Sequence, residues 1–475
     1  MGYLGILVFI IIALLFFTLL EKSEYKLALY ICMVLAIFLR LWISTDPYLN
    51  VFDERYHALV SKNILIYFTP YLYPNLVISF DPLDWTHSSI WLHKPPLPFM
   101  IIALSLKVFG FKYFAVRLPS IILSTLSCVL TYKISSHFYC KKIALVALFL
   151  HAIHGLSIEL VGGRVSSDHT DVFYLFFAQL AIYVAIVRSK SVMSILLTAF
   201  ILMCAYLSKW IAVFIPIVLV SLYYLINNIS RSKHVLLYVL TVIILGSSHL
   251  VIATNYPEEL SNLYRGIFGL LKSDKSPHDG GYLYYINRIR IIYGELIYIP
   301  LSLIIVSLIS RKLNRDRLYI MLWILVSITI LSFFNAKRAT YTLIFAPAMF
   351  ILTAVYYYQF RYLFLNSFAI KRTYYGLTMI LLLALPIRYS IERMKYFNSY
   401  PSDRIESKSI EVINNICEFD FNHTILIDEE FYIEFMFLHP ITAYNIPLDK
   451  HQIDSLNRLG YTIVKRTNQN LVKVE

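Results

Sequence analysis

Residues 192–227 read VMSILLTAFILMCAYLSKWIAVFIPIVLVSLYYLIN. One charge, Lys209, stands in the whole stretch and divides it into two apolar runs. A helix that crosses the hydrocarbon layer of a membrane needs about 20 mostly apolar residues, with roughly 17 to 25 the usual range. Within lipid the backbone must satisfy its own hydrogen bonds, which leaves helices as the structure for such runs. The stretch therefore reads as two membrane spans, 192–208 and 210–227, joined by a tight turn at Ser208-Lys209.

The same criterion, carried outward, marks further spans near 3–20, 27–44, 114–134, 143–160, 171–187, 235–253, 291–310, 318–334, 341–359 and 374–390. The expected fold is an all-α polytopic membrane protein of about twelve transmembrane helices. Composition agrees: 59% of the 475 residues are hydrophobic and 15% are charged, where a soluble domain carries roughly a quarter. The run at 3–20 has no basic segment before it and no small-x-small cleavage site after it, so it is expected to be a retained span rather than a signal peptide.

The net charge of +13 does not point to nucleic acid, because the basic residues sit in short clusters between apolar runs. Such clusters orient a membrane protein, cytoplasmic loops being the basic ones. Alternate connections carry Lys22 and Lys26, Lys141-Lys142, Arg188 with Lys190, Arg231 with Lys233, Arg311-Lys312 with Arg315 and Arg317, and Arg361 with Lys371-Arg372. The outer side then holds 45–113, 161–170, the turn at Lys209, 254–290, 335–340 and the tail from 391. In the first outer loop, PPLPFMIIALSLKVFG is apolar but too short to span, and reads as a helix lying at the interface. The tail, 391–475, alternates charged residues with short apolar runs. TILID, ITAYNI, YTIVKR and LVKVE read as strands, EEFYIEFMFLH and HQIDSLNRL as helices. A small extracytoplasmic α/β domain of structural or acceptor-docking purpose follows, after a membrane domain at 1–390. Five cysteines, Cys32, Cys128, Cys140, Cys204 and Cys417, show no metal-ligand spacing.

The chemistry is expected where charge stands at the outer ends of the spans. Asp53-Glu54 follows the second span, and His93-Lys94-Pro95-Pro96 precedes the interfacial helix. Arg164 and Asp168 occupy a short outer loop, with Asp171 just inside the next span. Lys209 and the pair Lys337-Arg338 fill two outer turns. Ionisable groups at membrane depth are costly and mark pathways or sites. A carboxylate can take a proton from an acceptor hydroxyl or amine. Lysines and arginines can clamp a phosphate that departs as an anion. Together they suit transfer of a sugar from a polyprenyl-phosphate carrier. Plainer readings stand beside this one: Asp53-Glu54 ending a helix at the interface, Arg164 and Asp168 as a structural ion pair, and Lys209, Lys337 and Arg338 snorkelling to headgroups. Tyr341, Tyr284, Tyr285 and Trp91 read equally well as interfacial aromatics, and His278 as a solvated loop residue.

The run VFDERYHALVSKNIL, 51–65, resembles the Asp-Glu motif in the first outer loop of the membrane-embedded C-superfold glycosyltransferases. Within them it is most similar to bacterial relatives of the dolichyl-phosphate-mannose protein mannosyltransferases and the lipid A aminoarabinose transferases. HKPPLP, FGFKYFAVRLPS, RVSSDHTDVFYLFF and FNAKRATYTLIFAPAMFIL resemble later elements in the same order, so that the likeness covers roughly residues 25–360. It implies that Asp53 is the general base, Glu54 its support and Asp168 a second acidic residue that positions acceptor or a cation. It also implies that Lys94, Lys337 and Tyr341 bind the donor phosphate. Arg164, Lys209 and Arg338 join that list from charge placement alone. His93 stands where relatives often carry Glu, which removes a carboxylate that could hold a metal. A divalent cation is therefore left open and no metal site is assigned.

The expectation is a glycosyltransferase, multi-pass in a bacterial inner membrane, with its active site and C-terminal domain on the periplasmic side. Its partners are the lipid bilayer, a polyprenyl-phosphate sugar donor and an acceptor that is lipid A, another glycan or protein, with no nucleic acid. The rival from another class is a transporter or flippase of lipid-linked saccharides. Such proteins usually show inverted repeats and charges near the midplane; here no repeat is evident and the charges cluster at one face, which favours the enzyme. A third reading is a non-catalytic membrane subunit that presents the C-terminal domain.

Overall fold

The computed structural model describes residues 3–51, 53–78, 80, 84–165, 168–188, 191–272, 281–294, 298, 305, 314–334, 337–364, 384–394, 423–467 and 470–474. Two antiparallel helices open the bundle, α1 (Tyr3–Glu21) and α2 (Tyr25–Ile43). The first outer loop carries α3 (Asp53–Tyr67) and α4 (Leu97–Phe109). Then follow α5 (Tyr113–Phe138), α6 (Lys141–Ala152), α7 (Gly155–Val161), α8 (Asp168–Val187), α9 (Val192–Lys209), the 3-10 turn Trp210–Val213, and α10 (Phe214–Ile226). Beyond these lie α11 (Arg231–Asn255), α12 (Pro257–Lys272), α13 (Tyr284–Tyr293), α14 (Arg315–Phe333), the 3-10 segment Ala339–Phe345 and α15 (Ala346–Phe364).

Among the described residues eight helices are long and apolar enough to cross a membrane, the run Val192–Ile226 being counted once, and nine if α6 and α7 form one span. The spans expected at 291–310 and 374–390, and His278 and Cys417, lie largely or wholly outside the described residues. The run 192–226 is a hairpin. On α8, Asp171 pairs with Lys209 and the Tyr174 hydroxyl donates to the Ala212 carbonyl, whereas near its other end Tyr223 reaches the Ile186 carbonyl. The chain thus rises along α9, turns beside Asp171, and descends along α10. The single span expected at 143–160 is instead two helices meeting at 51°. This break brings the second outer loop inward over the end of α2, where a Cβ on Gly162 would lie 2.7 Å from Ile43.

The segments expected in the tail form as strands β1 (Thr424–Ile427), β2 (Thr442–Ala443), β3 (Thr462–Thr467) and β4 (Asn470–Lys473), with helices α16 (Tyr432–Leu438) and α17 (Lys450–Arg458). The sheet order is β2-β1-β3-β4, with β1 parallel to both neighbours and β4 antiparallel to β3. Apolar β1 is buried along its whole length, as a central parallel strand must be. This unit is not a free module: one hydrophobic core joins Tyr56, Leu59, Val60, Tyr73 and Trp91 of the first outer loop to Ile425, Ile433 and Phe435 of the tail. Polar bonds fix the seam. Tyr56 and Tyr432 share a hydroxyl hydrogen bond of 2.6 Å, Tyr73 donates to the Ala443 carbonyl, and buried Lys62 donates to the Met436 carbonyl at the end of α16 at 2.7 Å. Trp91, read from sequence as an interfacial aromatic, is fully buried in this seam; Tyr285, in α13, is fully buried too. Large side chains between two packed units exclude water more completely than lipid-facing ones.

Inside the bundle the span α2 carries a fully buried Arg40. Its guanidinium donates to Ser124 Oγ at 2.7 Å, to the Ala36 and Ala152 carbonyls at 3.0 Å, and to Cys128 Sγ at 3.2 Å. One side chain thereby straps α2 to α5 and α6. Replacement Arg40→Ala leaves these acceptors unsatisfied around a cavity, and should cost about 2–4 kcal/mol of stability. The expected result is a fall in the thermal unfolding midpoint of the detergent-solubilised chain.

Candidate functional site

The site begins at the first turn of α3. Two adjacent carboxylates favour that position because unpaired N–H groups and the helix dipole present positive charge there. Adjacent helical positions point in different directions, and the two acids consequently have different surroundings. Glu54 turns inward and is fully buried against fully buried Arg117 of α5. Arg117 Nε donates to Oε1 at 2.6 Å and Nη2 to Oε2 at 2.9 Å. The Asn50 backbone N–H and side-chain amide both donate to Oε2, at 2.7 and 2.8 Å, and His169 Nε2 lies 3.5 Å from Oε1. The rest of the Arg117 fork donates to the carbonyls of Ser44, Asp46 and Tyr48. Burial alone would raise the Glu54 carboxyl, but the Arg117 charge, its hydrogen bonds and His169 hold it well below the usual carboxylate range. Gly163 closes this clamp. Its φ is +71°, and a Cβ there would lie 2.3 Å from the Glu54 carboxyl carbon, so both the turn and the close approach require glycine.

Asp53 points the other way and keeps slight exposure. Its Oδ2 is 2.7 Å from Lys94 Nζ and 3.9 Å from Arg338 Nη1. Lys94 reaches it from the loop that Pro95 and Pro96 stiffen ahead of α4. A second cluster stands beside the first. Lys209, at the end of α9, pairs with buried Asp171 of α8 and lies 4.1 Å from the centre of the Tyr341 ring. Its helix ends there because Trp210 takes a positive φ of 23°. Lys337 is buried in the same outer turn as Arg338.

Asp53, Glu54, Lys94, Lys209, Arg338 and Tyr341, all expected from sequence, therefore gather at one end of the bundle. Arg164 is expected from spacing to pair with Asp168, whose side chain lies outside the described groups. Arg164 donates to Asp46 at 3.0 and 3.1 Å, and to the Met394 carbonyl at 3.1 Å. It ties the second outer loop to the first and to the helical stretch 384–394. The backbone of Asp168 opens α8. His93 stacks on Trp85, ring centres 4.5 Å apart, within electrostatic reach of Asp53, Lys94 and Arg338. Among the described residues no three His, Cys, Asp or Glu side chains gather to hold a metal ion.

Sequence reasoning missed Arg117, Asp46, Asn50, His57 and His169. Arg117 carried a usable signal, since it is a charge just inside a span. His57 lies one turn from Asp53, where helical spacing places both on one face. Asp46 and Asn50, in a loop of ordinary polar composition, carried none.

The chain was compared with known proteins. The dolichyl-phosphate-mannose-protein mannosyltransferase family matches residues 93–252. ArnT from Cupriavidus metallidurans bound to undecaprenyl phosphate superposes with a TM-score of 0.65 at 10% identity, covering 92% of each chain. Its apo form gives 0.64 at 11% identity, covering 93% of each. The Archaeoglobus fulgidus oligosaccharyltransferase in the apo form gives 0.60 at 11% identity, covering 91% of this chain and 69% of that one. No curated protein matches the sequence.

The clamp gives a direct test. Glu54→Gln leaves the Arg117 charge buried without its counter-ion, a loss expected to cost roughly 3–5 kcal/mol, read as a lower unfolding midpoint. Because the clamp depresses the folded-state pKa of Glu54, its contribution is complete above the unfolded value near ~4.3. It fades as the pH falls toward the lower folded value. Wild type and variant should differ by a constant amount at neutral pH and converge only in acid.

Proposed function

On the premise that this chain is a relative of the membrane-embedded C-superfold glycosyltransferases, we propose that it transfers a glycosyl group from a polyprenyl-phosphate sugar to an acceptor outside the cytoplasm. The observation that carries the reading is the Asp53–Lys94 contact of 2.7 Å with Arg338 at 3.9 Å, at one end of a bundle of apolar helices. A carboxylate stands there among cations.

In this reading Lys94 and Arg338 bind the donor phosphate, with Lys209, Lys337 and Tyr341 along the same mouth. Cations fixed in place before the reaction stabilise the negative charge that grows on the phosphate as the glycosidic bond breaks. Asp53 takes the proton of the acceptor hydroxyl or amine as it attacks the anomeric carbon, with inversion. With no donor present, Asp53 is held by Lys94. A phosphate that competes for the ammonium frees the carboxylate for the acceptor. Glu54 touches neither substrate and sets the direction of α3. Asp168 remains the proposed second acid, placing acceptor or a cation. The C-terminal unit, fused to α3 through a common core, roofs the acceptor side. The acceptor is lipid A, another glycan or protein, and the compartment is the periplasmic face of a bacterial inner membrane.

ArnT has been crystallised with undecaprenyl phosphate, and the archaeal oligosaccharyltransferase AglB has been solved in complex with an inhibitory peptide and a dolichol-phosphate, which supports a lipid-phosphate donor here. The test is release of labelled sugar from a polyprenyl-phosphate donor by the purified chain. Asp53→Asn is expected to lower turnover by at least ~100-fold while the protein still inserts and runs as a single species. Lys94→Met is expected to raise the donor concentration needed. An Asp53→Asn protein of full activity would sink the proposed base, and movement of intact donor across a vesicle without sugar release would mean a transporter.

A further inference from the structure

We propose that His57 is a positioning residue that aims the Lys94 ammonium at the donor phosphate. The inference rests on the reading of Lys94 as a phosphate-binding group. Lys94 Nζ lies 2.7 Å from Asp53 Oδ2 and 3.1 Å from His57 Nε2. An ammonium has three N–H donors and no acceptor. The His57 Nε2 must therefore offer its lone pair, which makes the ring the neutral tautomer with its proton on Nδ1.

Asp53 and His57 are four residues apart on α3 and share one face of it. One helical turn thus supplies both acceptors, and the ammonium is held between them. With two of its tetrahedral donor directions fixed, the third is fixed as well. Lys94 keeps 12% of its side chain exposed, whereas His57 is fully buried. The imidazole cannot swing away, because Phe99, His169 and Trp91 surround it at ring-centre distances of 5.0, 5.9 and 6.0 Å.

The choice of residue type follows from charge. A second carboxylate at this place would hold Lys94 equally well but would cancel its charge and repel a phosphate. A neutral imidazole directs the ammonium and leaves the positive charge for the ligand.

The test uses the full-length chain in lipid nanodiscs, with undecaprenyl phosphate as the probe and its dissociation constant as the readout. His57→Phe keeps the ring and loses the acceptor; binding should weaken roughly 10-fold, as for loss of one charged hydrogen bond. His57→Gln, whose amide oxygen reaches the same place, should bind within about 3-fold of wild type. In the Lys94→Met background His57→Phe should add nothing, since a residue acting through Lys94 has no effect without it. If the phenylalanine variant does not fold, His57→Asn, too short to reach Lys94, is read in its place with the same expectation. Wild-type affinity in the acceptor-less variant, or an equal loss with and without Lys94, would overturn the proposal alone. Wild-type protein that does not bind undecaprenyl phosphate would overturn the donor reading beneath it, and this proposal with it.

Discussion

The end of the bundle that carries α3 depends on the buried ion pair between Glu54 and Arg117. Both groups are removed from water, where an unpaired charge would cost several kcal/mol, and each is satisfied almost completely. Two N–H groups of Arg117, two of Asn50 and the nearby His169 surround the carboxylate. The remaining donors of the fork close the carbonyls of the loop at 44–48. A pair buried so deeply tolerates little displacement, because moving either partner leaves the other stranded in a medium of low dielectric. The first outer loop, α5, the Gly162-Gly163 turn and α8 are therefore held in a single arrangement.

That rigidity gives Asp53 its direction. With Glu54 locked inward, helical geometry turns its neighbour toward the mouth, where Lys94 and Arg338 approach. Polar satisfaction falls along this line. Arg117 is saturated, Arg164 is committed to Asp46 and the Met394 carbonyl, while Lys94 and Arg338 are partly exposed. The fully buried groups build the scaffold, and the cations beside Asp53 keep contact with the surface. The C-terminal unit extends the same scaffold, since Tyr56 and Lys62 of α3 bond to Tyr432 and to the end of α16.

Much of this was legible in the linear chain. Helix α5 and the hairpin of α9 and α10 follow from runs of apolar residues, since lipid admits almost nothing else. The four tail strands follow from their short apolar runs and their β-branched residues. Lys94, Lys209 and Arg338 stood out because a charge beside a span is costly and needs a reason. The 51° bend between α6 and α7 was hidden, because the break holds no proline and Gly155 beside it is a residue that helices also tolerate. Trp91 was misplaced, since an aromatic residue has the same apolar pattern whether it meets lipid or a second domain.

The sequence by itself determined that the chain is a helical membrane protein with acids and bases collected on one side, for hydropathy and charge are properties of single residues and their near neighbours. Only the tertiary structure decided who meets whom: that Arg164 answers Asp46, that Arg117 claims Glu54, and that His57 stands behind Lys94. Those partners lie between 37 and 118 residues apart. Their selection rests on the packing of helices that no local pattern encodes. In a low-dielectric interior, that selection separates a carboxylate sealed against a buried arginine from one held by a partly exposed lysine.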